Sequence, residues 1–138
     1  MELTVNYLAV LVSAVLAVGL GFLWYGPIFG KMWMGEMGWT RESIGERMKG
    51  TNMNVTYALQ ALGSLVMAYV LAHFVALLNI TTTTMALQFA FWSWLGFVAT
   101  THLGLVLWEG KTWKFYAITT GYYLVTIVLM ALILSAWR

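Results

Sequence analysis

Two histidines, His73 and His102, are the ionisable side chains that lie deep within the long apolar runs of this sequence. An ionisable group is costly in such a setting and often marks a site. At 1.5 Å per helical residue, each lies roughly 8–9 Å below opposite ends of its run, which leaves on the order of 10–15 Å between them in a ~30 Å bilayer core. They cannot share one metal ion within a chain, and we predict no metal site and no cofactor. The alternative to a proton or solute site is a neutral imidazole bonded to a neighbouring helix.

Other polar residues fall at the depths of these two histidines and form two layers. The inner layer, our candidate site, holds Gln60, Thr101, His102, Thr119 and Thr120, and the outer layer holds Asn6, His73 and Gln88. Gln88, Leu95 and His102 are seven residues apart, which predicts that they share a helix face directed into a bundle. Glu109 is interpreted as an interfacial charge near Lys111, or as the mouth of such a site.

Several kinds of catalysis are disfavoured by what the sequence does not contain. There is no Cys, no Ser-His-acid set and no HExxH motif, so we expect that the protein is not an enzyme. The net charge of +2 and the pI near 9.0 would suggest nucleic acid in a soluble protein. In a chain this apolar, the basic residues are better interpreted as topology signals, and no nucleic-acid partner is predicted.

The positions of these residues depend on four apolar runs. The chain is 62% hydrophobic and only 9% charged, against about 25% charged in soluble domains, which places it in the membrane class. The runs cover residues 5–26, 55–78, 85–108 and 115–137, and each is long enough to cross a bilayer as a helix. They predict an all-α protein with one transmembrane domain over residues 1–138, built as two helical hairpins. Strands are disfavoured because the runs do not alternate and four strands cannot close a barrel.

The connections between the runs differ in charge. The first and third connections hold six of the seven Lys and Arg residues, and the second is short and uncharged. The positive-inside rule therefore predicts that both basic loops are cytoplasmic and that both termini are external.

A short amphipathic helix is predicted within the first loop. Ser43 and Glu46 fit a capping box, Thr40 is a competing cap with Glu42 in the first turn, and Gly50 could end the helix.

An aromatic stretch ends the first apolar run and forms our predicted interfacial motif. Trp and Tyr favour the headgroup level of a bilayer. The residues assigned to this motif are Trp24, Tyr25, Gly26, Pro27, Trp33 and Glu109. Proline disfavours a helical residue before it, so the helix is expected to end at Gly26–Pro27 and to turn there onto the membrane surface. On this interpretation Gly26→Val lowers the yield of folded protein and Trp24→Phe is mild.

Small residues recur every fourth position in the runs, which lets helix backbones approach closely. The number of these small-residue stripes exceeds the number of helix faces that two hairpins need for packing. We therefore expect a homodimer or larger homo-oligomer. The stripes are Ala9, Ser13, Ala17 and Gly21; Ser64, Ala68, Ala72 and Ala76; Gly96, Thr100 and Gly104; and Ala117 with Gly121.

Three motifs carry a resemblance to a known family. They are Trp24-Tyr25-Gly26-Pro27-x-Phe29-Gly30-x-x-Trp33, Trp94-Leu95-Gly96-Phe97 and Trp108-Glu109-Gly110-Lys111. Together they resemble the bacterial domain-of-unknown-function family numbered 1761, over nearly the whole chain. The resemblance implies a small four-span protein of the bacterial cytoplasmic (inner) membrane. It implies no established activity and supplies no catalytic residue.

The sequence therefore favours an accessory or structural membrane protein that forms a homo-oligomer. The alternative is a transporter or channel for a small solute, a proton or a lipid, with a site between the helices near His102. The expected partners are the lipid bilayer, a second copy of the chain, and a lipid or small-molecule ligand.

Overall fold

Four helices of the protein are long and apolar enough to cross a membrane. In the computed structural model, which describes residues 4–137 apart from the side chains of Arg41 and Arg47, they are Tyr7–Ile28, Met53–Leu77, Thr83–Leu107 and Trp113–Ala136. We call them the first to fourth spans. No strand occurs among the described residues, so the all-α, four-span prediction is confirmed.

The fourth span is the central helix of the bundle. The first span packs against the second and the third against the fourth, as two hairpins, and the fourth also contacts the first two. In the most apolar 18-residue window of each span, 44% of the fourth is buried but only 11% of the third. The third span therefore depends on the fourth for its position.

Small residues at the helix contacts explain this close packing. The first two predicted stripes are confirmed as packing faces, because Ala9, Ser13 and Ala17, like Ser64, Ala68 and Ala72, are buried within the chain. The third and fourth stripes are for the most part not packing faces within the chain. Gly96, Thr100 and Ala117 are exposed, and the third span instead buries Ala86, Ala90 and Ala99.

The helical pitch changes within the third span. Residues Leu95–Ala99 form a π turn and Thr101–Leu103 a 3-10 turn. A π turn rotates all following residues relative to an α-helix, so His102 leaves the face that Gln88 and Leu95 share. That face is exposed, and only His102 is partly buried, so the predicted inward heptad is wrong.

A second π turn, Trp24–Ile28, ends the first span and contains Pro27. A proline in an α-helix clashes with the carbonyl four residues back, and the wider turn relieves that clash. The Phe29 N–H donates to the Trp24 carbonyl oxygen over 2.8 Å, so the helix continues past Gly26–Pro27. The predicted end at that dipeptide is wrong, and the chain bends at Phe29, whose φ is −119°.

Two short helices follow in the first loop, Gly30–Met37 and Arg41–Met48. The first was not predicted and ends at Gly38, whose φ of 72° favours glycine. The second confirms the predicted loop helix, and Thr40 is its cap. The Thr40 N–H donates to Ser43 Oγ over 2.7 Å, and the Ser43 N–H donates to Thr40 Oγ1 over 3.1 Å. The predicted capping box with Ser43 as its N-cap residue is therefore wrong, because the N-cap is Thr40, three residues earlier.

The first and third loops meet at one end of the bundle. Thr112 caps the fourth span, accepting from the Phe115 N–H, and its hydroxyl donates to the Glu36 carboxylate. A carboxylate at a helix N-terminus is also stabilised by the helix dipole. Lys111 Nζ lies 3.7 Å from Met37 Sδ. The first loop helix is thereby fixed against the start of the central span.

We expect Gly30→Ala to destabilise the protein while Gly35→Ala, in the same short helix, does not. A Cβ at Gly30 would lie 2.7 Å from the Tyr25 carbonyl oxygen, a backbone atom that cannot move aside, whereas a Cβ at Gly35 meets nothing within 4 Å. Overpacking of this kind costs about 1–3 kcal/mol. Thermal unfolding in detergent measures the difference, and equal stability of the two variants would contradict the bend at Phe29–Gly30.

Candidate functional site

His102 is held by its own helix and faces the fourth span. Its Nδ1 lies 2.8 Å from the Val98 carbonyl oxygen. Since a carbonyl can only accept, Nδ1 carries a proton in this contact. The ring centroid lies 5.5 Å from that of Tyr123. The predicted site residue is therefore connected to the fourth span through an aromatic contact.

The other members of the predicted inner layer divide into two groups. Thr101 and Thr120 donate to carbonyls of their own helices, those of Phe97 and Tyr116, each over 2.7 Å. Gln60 lies in a cleft between spans, and Thr119 is near the side chain of Tyr25, which lines the same cleft. The inner layer is thus only partly assembled into one place.

The predicted outer layer does not form a common site. Asn6 caps the first span, accepting from two backbone N–H groups, and its Nδ2 donates to the Trp137 carbonyl oxygen over 3.3 Å. His73 Nδ1 lies 2.9 Å from the Tyr69 carbonyl oxygen, and its ring packs on Tyr69 with centroids 4.4 Å apart. Gln88 is exposed on the third span.

In the predicted interfacial motif, Trp24 and Trp33 pack against neighbouring residues, and Tyr25 lines the cleft between spans. Trp24 Nε1 donates to the Ile118 carbonyl oxygen over 2.9 Å, and Trp33 packs against Tyr25 with ring centroids 5.5 Å apart. Gly26, Pro27 and Glu109 are exposed. Trp24 therefore joins the first span to the fourth through its indole N–H, which a phenylalanine there could not supply.

The polar cleft lies between the first, second and fourth spans and encloses about 340 Å³. We call it the tyrosine cleft; its lining residues are Val18, Gly21, Phe22, Tyr25, Tyr57, Gln60, Tyr122 and Tyr123. Tyr25, Tyr122 and Tyr123 form one aromatic group, with successive ring centroids 5.6 and 5.2 Å apart. Phe22 and Tyr57 form another, with centroids 5.6 Å apart. The volume lies at the lower end of ligand sites, which run from about 300 to 1,000 Å³.

A smaller polar chamber of about 190 Å³ adjoins the cleft and shares Gln60, Tyr122 and Tyr123 with it. Its other lining residues are Gly63, Ser64, Met67 and Thr126. Thr126 is only 3% exposed. Its hydroxyl approaches the Tyr122 phenol, whose proton is donated to the Ala17 carbonyl, but Thr126 Oγ1 makes no well-formed hydrogen bond to any described residue. A buried hydroxyl without a hydrogen bond is uncommon in folded proteins.

Sequence reasoning identified Gln60 and Tyr25 but missed the cleft. Tyr57, Gln60 and Ser64 are three and four residues apart on the second span, a spacing that places them on one helix face. Tyr122 and Thr126 have the same spacing on the fourth span. This periodic polarity was the available signal, but Tyr25 was assigned to the interfacial motif and the other tyrosines of the cleft were assigned to no site.

The chemistry of the cleft is that of neutral hydrogen bonding and aromatic stacking. Its lining contains phenols, one amide and, in the chamber, two hydroxyls, all uncharged at neutral pH. Among the described residues, no three His, Asp or Glu side chains come together to hold a metal ion. The site is suited to bind and orient a molecule.

Comparison with known proteins adds one finding. Neither the curated proteins nor the solved structures contain a match to this chain. A family model does match, over residues 8–135 and therefore over nearly the whole sequence. The chain belongs to the protein family of unknown function DUF1761.

Proposed function

We propose that this membrane protein is a non-catalytic accessory protein that binds a lipid-soluble small molecule in the tyrosine cleft. The observation that carries the proposal is the buried Thr126 hydroxyl, which lacks a well-formed hydrogen bond in a polar chamber behind Gln60. Leaving such a group unpaired costs about 1–3 kcal/mol, and a polar atom of a bound molecule would remove that cost.

The position of Gln60 gives further support. Its side chain is exposed at the cleft, seven residues after the start of the second span. An amide facing hydrocarbon without a partner is costly. The same side chain lines both the cleft and the chamber, so one molecule seated there would satisfy Gln60 and reach Thr126.

We propose that the protein resides in the bacterial cytoplasmic membrane, with the first and third loops in the cytoplasm and both termini outside. The two loops meet through the Glu36–Thr112 hydrogen bond, and six of the seven Lys and Arg residues belong to them. The positive-inside rule favours this orientation.

We also propose a homo-oligomer assembled through the third span. Its exposed small residues, Gly96 and Thr100, are not used for packing within the chain, and Phe97 beside them is 76% exposed. Small residues on a free helix face allow a second helix to approach closely.

The ligand-binding role is tested by blocking the chamber. A Cβ at Gly63 meets nothing within 4 Å, and Gly63 lines both the chamber and an apolar groove beside the third span. We therefore expect Gly63→Leu to fold and to narrow the chamber. In nanodiscs, a diazirine-bearing amphiphile should label peptides containing residues 57–64 and 122–126, and Gly63→Leu should reduce that labelling severalfold. Gly19→Leu, an exposed glycine of the first span with equal room, is the control. Labelling spread evenly over lipid-facing residues and indifferent to Gly63→Leu would contradict the role.

Reporter fusions test the orientation. Fusions after Thr51 and after Gly110 should report cytoplasmic locations, and a fusion after Thr82 should report an external one, because the basic loops stay inside. A cytoplasmic signal at Thr82 would invert the topology, and an equal mixture would indicate dual insertion.

Association is tested at Gly96. A Cβ there meets nothing within 4 Å, so Gly96→Leu leaves the protomer intact but obstructs a second helix. Mass measurement in nanodiscs should show a shift from oligomer to monomer for Gly96→Leu and none for Gly19→Leu. A wild-type chain that is monomeric in both detergent and nanodiscs refutes the oligomer.

A further inference from the structure

An apolar groove continues from the tyrosine cleft along the lipid-facing side of the first and second spans. It encloses about 440 Å³, and its lining includes Leu11, Val15, Val18, Leu62 and Leu65. Val18 also lines the cleft, so the two spaces are contiguous. The polar site therefore continues directly into a strip that hydrocarbon can occupy.

The cleft and the groove lie at different depths. Tyr57 and Gln60 are four and seven residues after the start of the second span, and Leu65 is twelve residues after it. At 1.5 Å per residue these positions are about 6, 10 and 18 Å into the helix. The polar end is thus near the membrane surface at the loop end, and the apolar end reaches the middle of the bilayer. A molecule with a polar head and one tail fits this order.

The hydrogen-bonding side chains of the cleft indicate which polar head the ligand carries. The Tyr122 phenol donates to the Ala17 carbonyl, and the other donors that line the cleft are the Tyr25, Tyr57 and Tyr123 phenols and the Gln60 amide. In the chamber, Ser64 and Thr126 add hydroxyls. A site rich in neutral donors is matched by a head that carries carbonyl acceptors.

The shape and charge of the cleft further restrict the chemistry of that polar head. Two separate aromatic groups, Phe22 with Tyr57 and Tyr25 with Tyr122 and Tyr123, line the cleft, and flat rings stack on such surfaces. Among the side chains that the structure describes, the lining includes neither a carboxylate for a cation nor an Arg or Lys for a phosphate. A single groove adjoins the cleft at Val18, which suits one tail better than two acyl chains.

We infer that the occupant is a quinone with a single hydrocarbon tail, its carbonyl-bearing ring in the tyrosine cleft and its tail in the groove between the first and second spans. This inference rests on the proposed ligand-binding function and names the chemical class of the ligand. Gln60 and Tyr123 donate to the ring carbonyls, and the aromatic groups stack against the ring.

The test is photolabelling with a decyl-tailed azidobenzoquinone in phosphatidylcholine nanodiscs. Label should appear on the peptides that contain residues 57–60 and 122–126, and a decyl-tailed benzoquinone should displace it. Decyltrimethylammonium and dioctanoylglycerol, which replace the ring by a cation or by two esters, should not. Gln60→Leu and Tyr123→Phe should each weaken displacement by roughly three- to tenfold, the loss of one hydrogen bond.

The same two substitutions, made at a glutamine and a tyrosine that do not line the cleft, serve as controls. Gln88→Leu on the third span and Tyr69→Phe on the second remove an amide and a phenol that do not line the cleft or the chamber, and they should leave displacement unchanged. Equal effects of the Gln60 and Gln88 variants would overturn the inference, as would displacement by the ammonium or the diester at the same concentration as the quinone.

The diazirine experiment separates this inference from the proposed function. If the diazirine amphiphile labels the cleft in a Gly63-dependent manner and the quinone does not displace it, the quinone assignment is wrong and the binding role stands. If neither probe labels the cleft above the lipid-facing background, both are wrong.

Discussion

Backbone carbonyls within a bilayer have no water to bond, so every irregularity in a membrane helix needs a partner from the protein. In this bundle, aromatic side chains donate to backbone carbonyls of neighbouring spans, and one of these carbonyls, that of Ala99, belongs to the π turn of the third span. The Trp24 and Trp94 indoles donate to the Ile118 and Thr120 carbonyls of the fourth span, over 2.9 and 2.7 Å. Its own Tyr116 and Tyr122 phenols donate to the Ala99 and Ala17 carbonyls of the third and first spans, over 2.7 and 2.8 Å. These four bonds fix which helices meet and at what height.

Two glycines allow the rings to reach their carbonyls. A Cβ at Gly121 would come within 3.2 Å of the Trp24 ring, and a Cβ at Gly21 within 3.3 Å of the Tyr122 phenol oxygen. Both glycines are therefore packing partners of an aromatic anchor, and Gly21 also lines the cleft. The packing of the bundle and the shape of the candidate site depend on the same contacts, so a substitution that loosens one alters the other.

Sequence reasoning predicted what depends on composition and failed where the helical pitch changes. Four spans, a capped loop helix at Thr40 and the buried stripes around Ala17 and Ala68 follow from apolar length, cap chemistry and a four-residue spacing. The π turns at Trp24–Ile28 and Leu95–Ala99 have no such signature, apart from Pro27 in the first. His102, after the second turn, was therefore grouped with Gln88, and spacing alone did not show that the Gln88 face is exposed. The cleft, which needs three spans at correct heights, could not be assembled from spacing alone.

A bundle built around one central span need not fill the space beside it. The first and second spans both contact the fourth, and the cleft, the chamber and the apolar groove all lie along them. Packing alone would favour filling that space with apolar side chains, since unpaired polar groups destabilise a membrane interior. The chain instead places Gln60 and Tyr57 at the opening and Thr126 within. Polar groups kept at such a cost are typical of sites that await a partner, which makes this corner, rather than the separate histidines, the place to seek function.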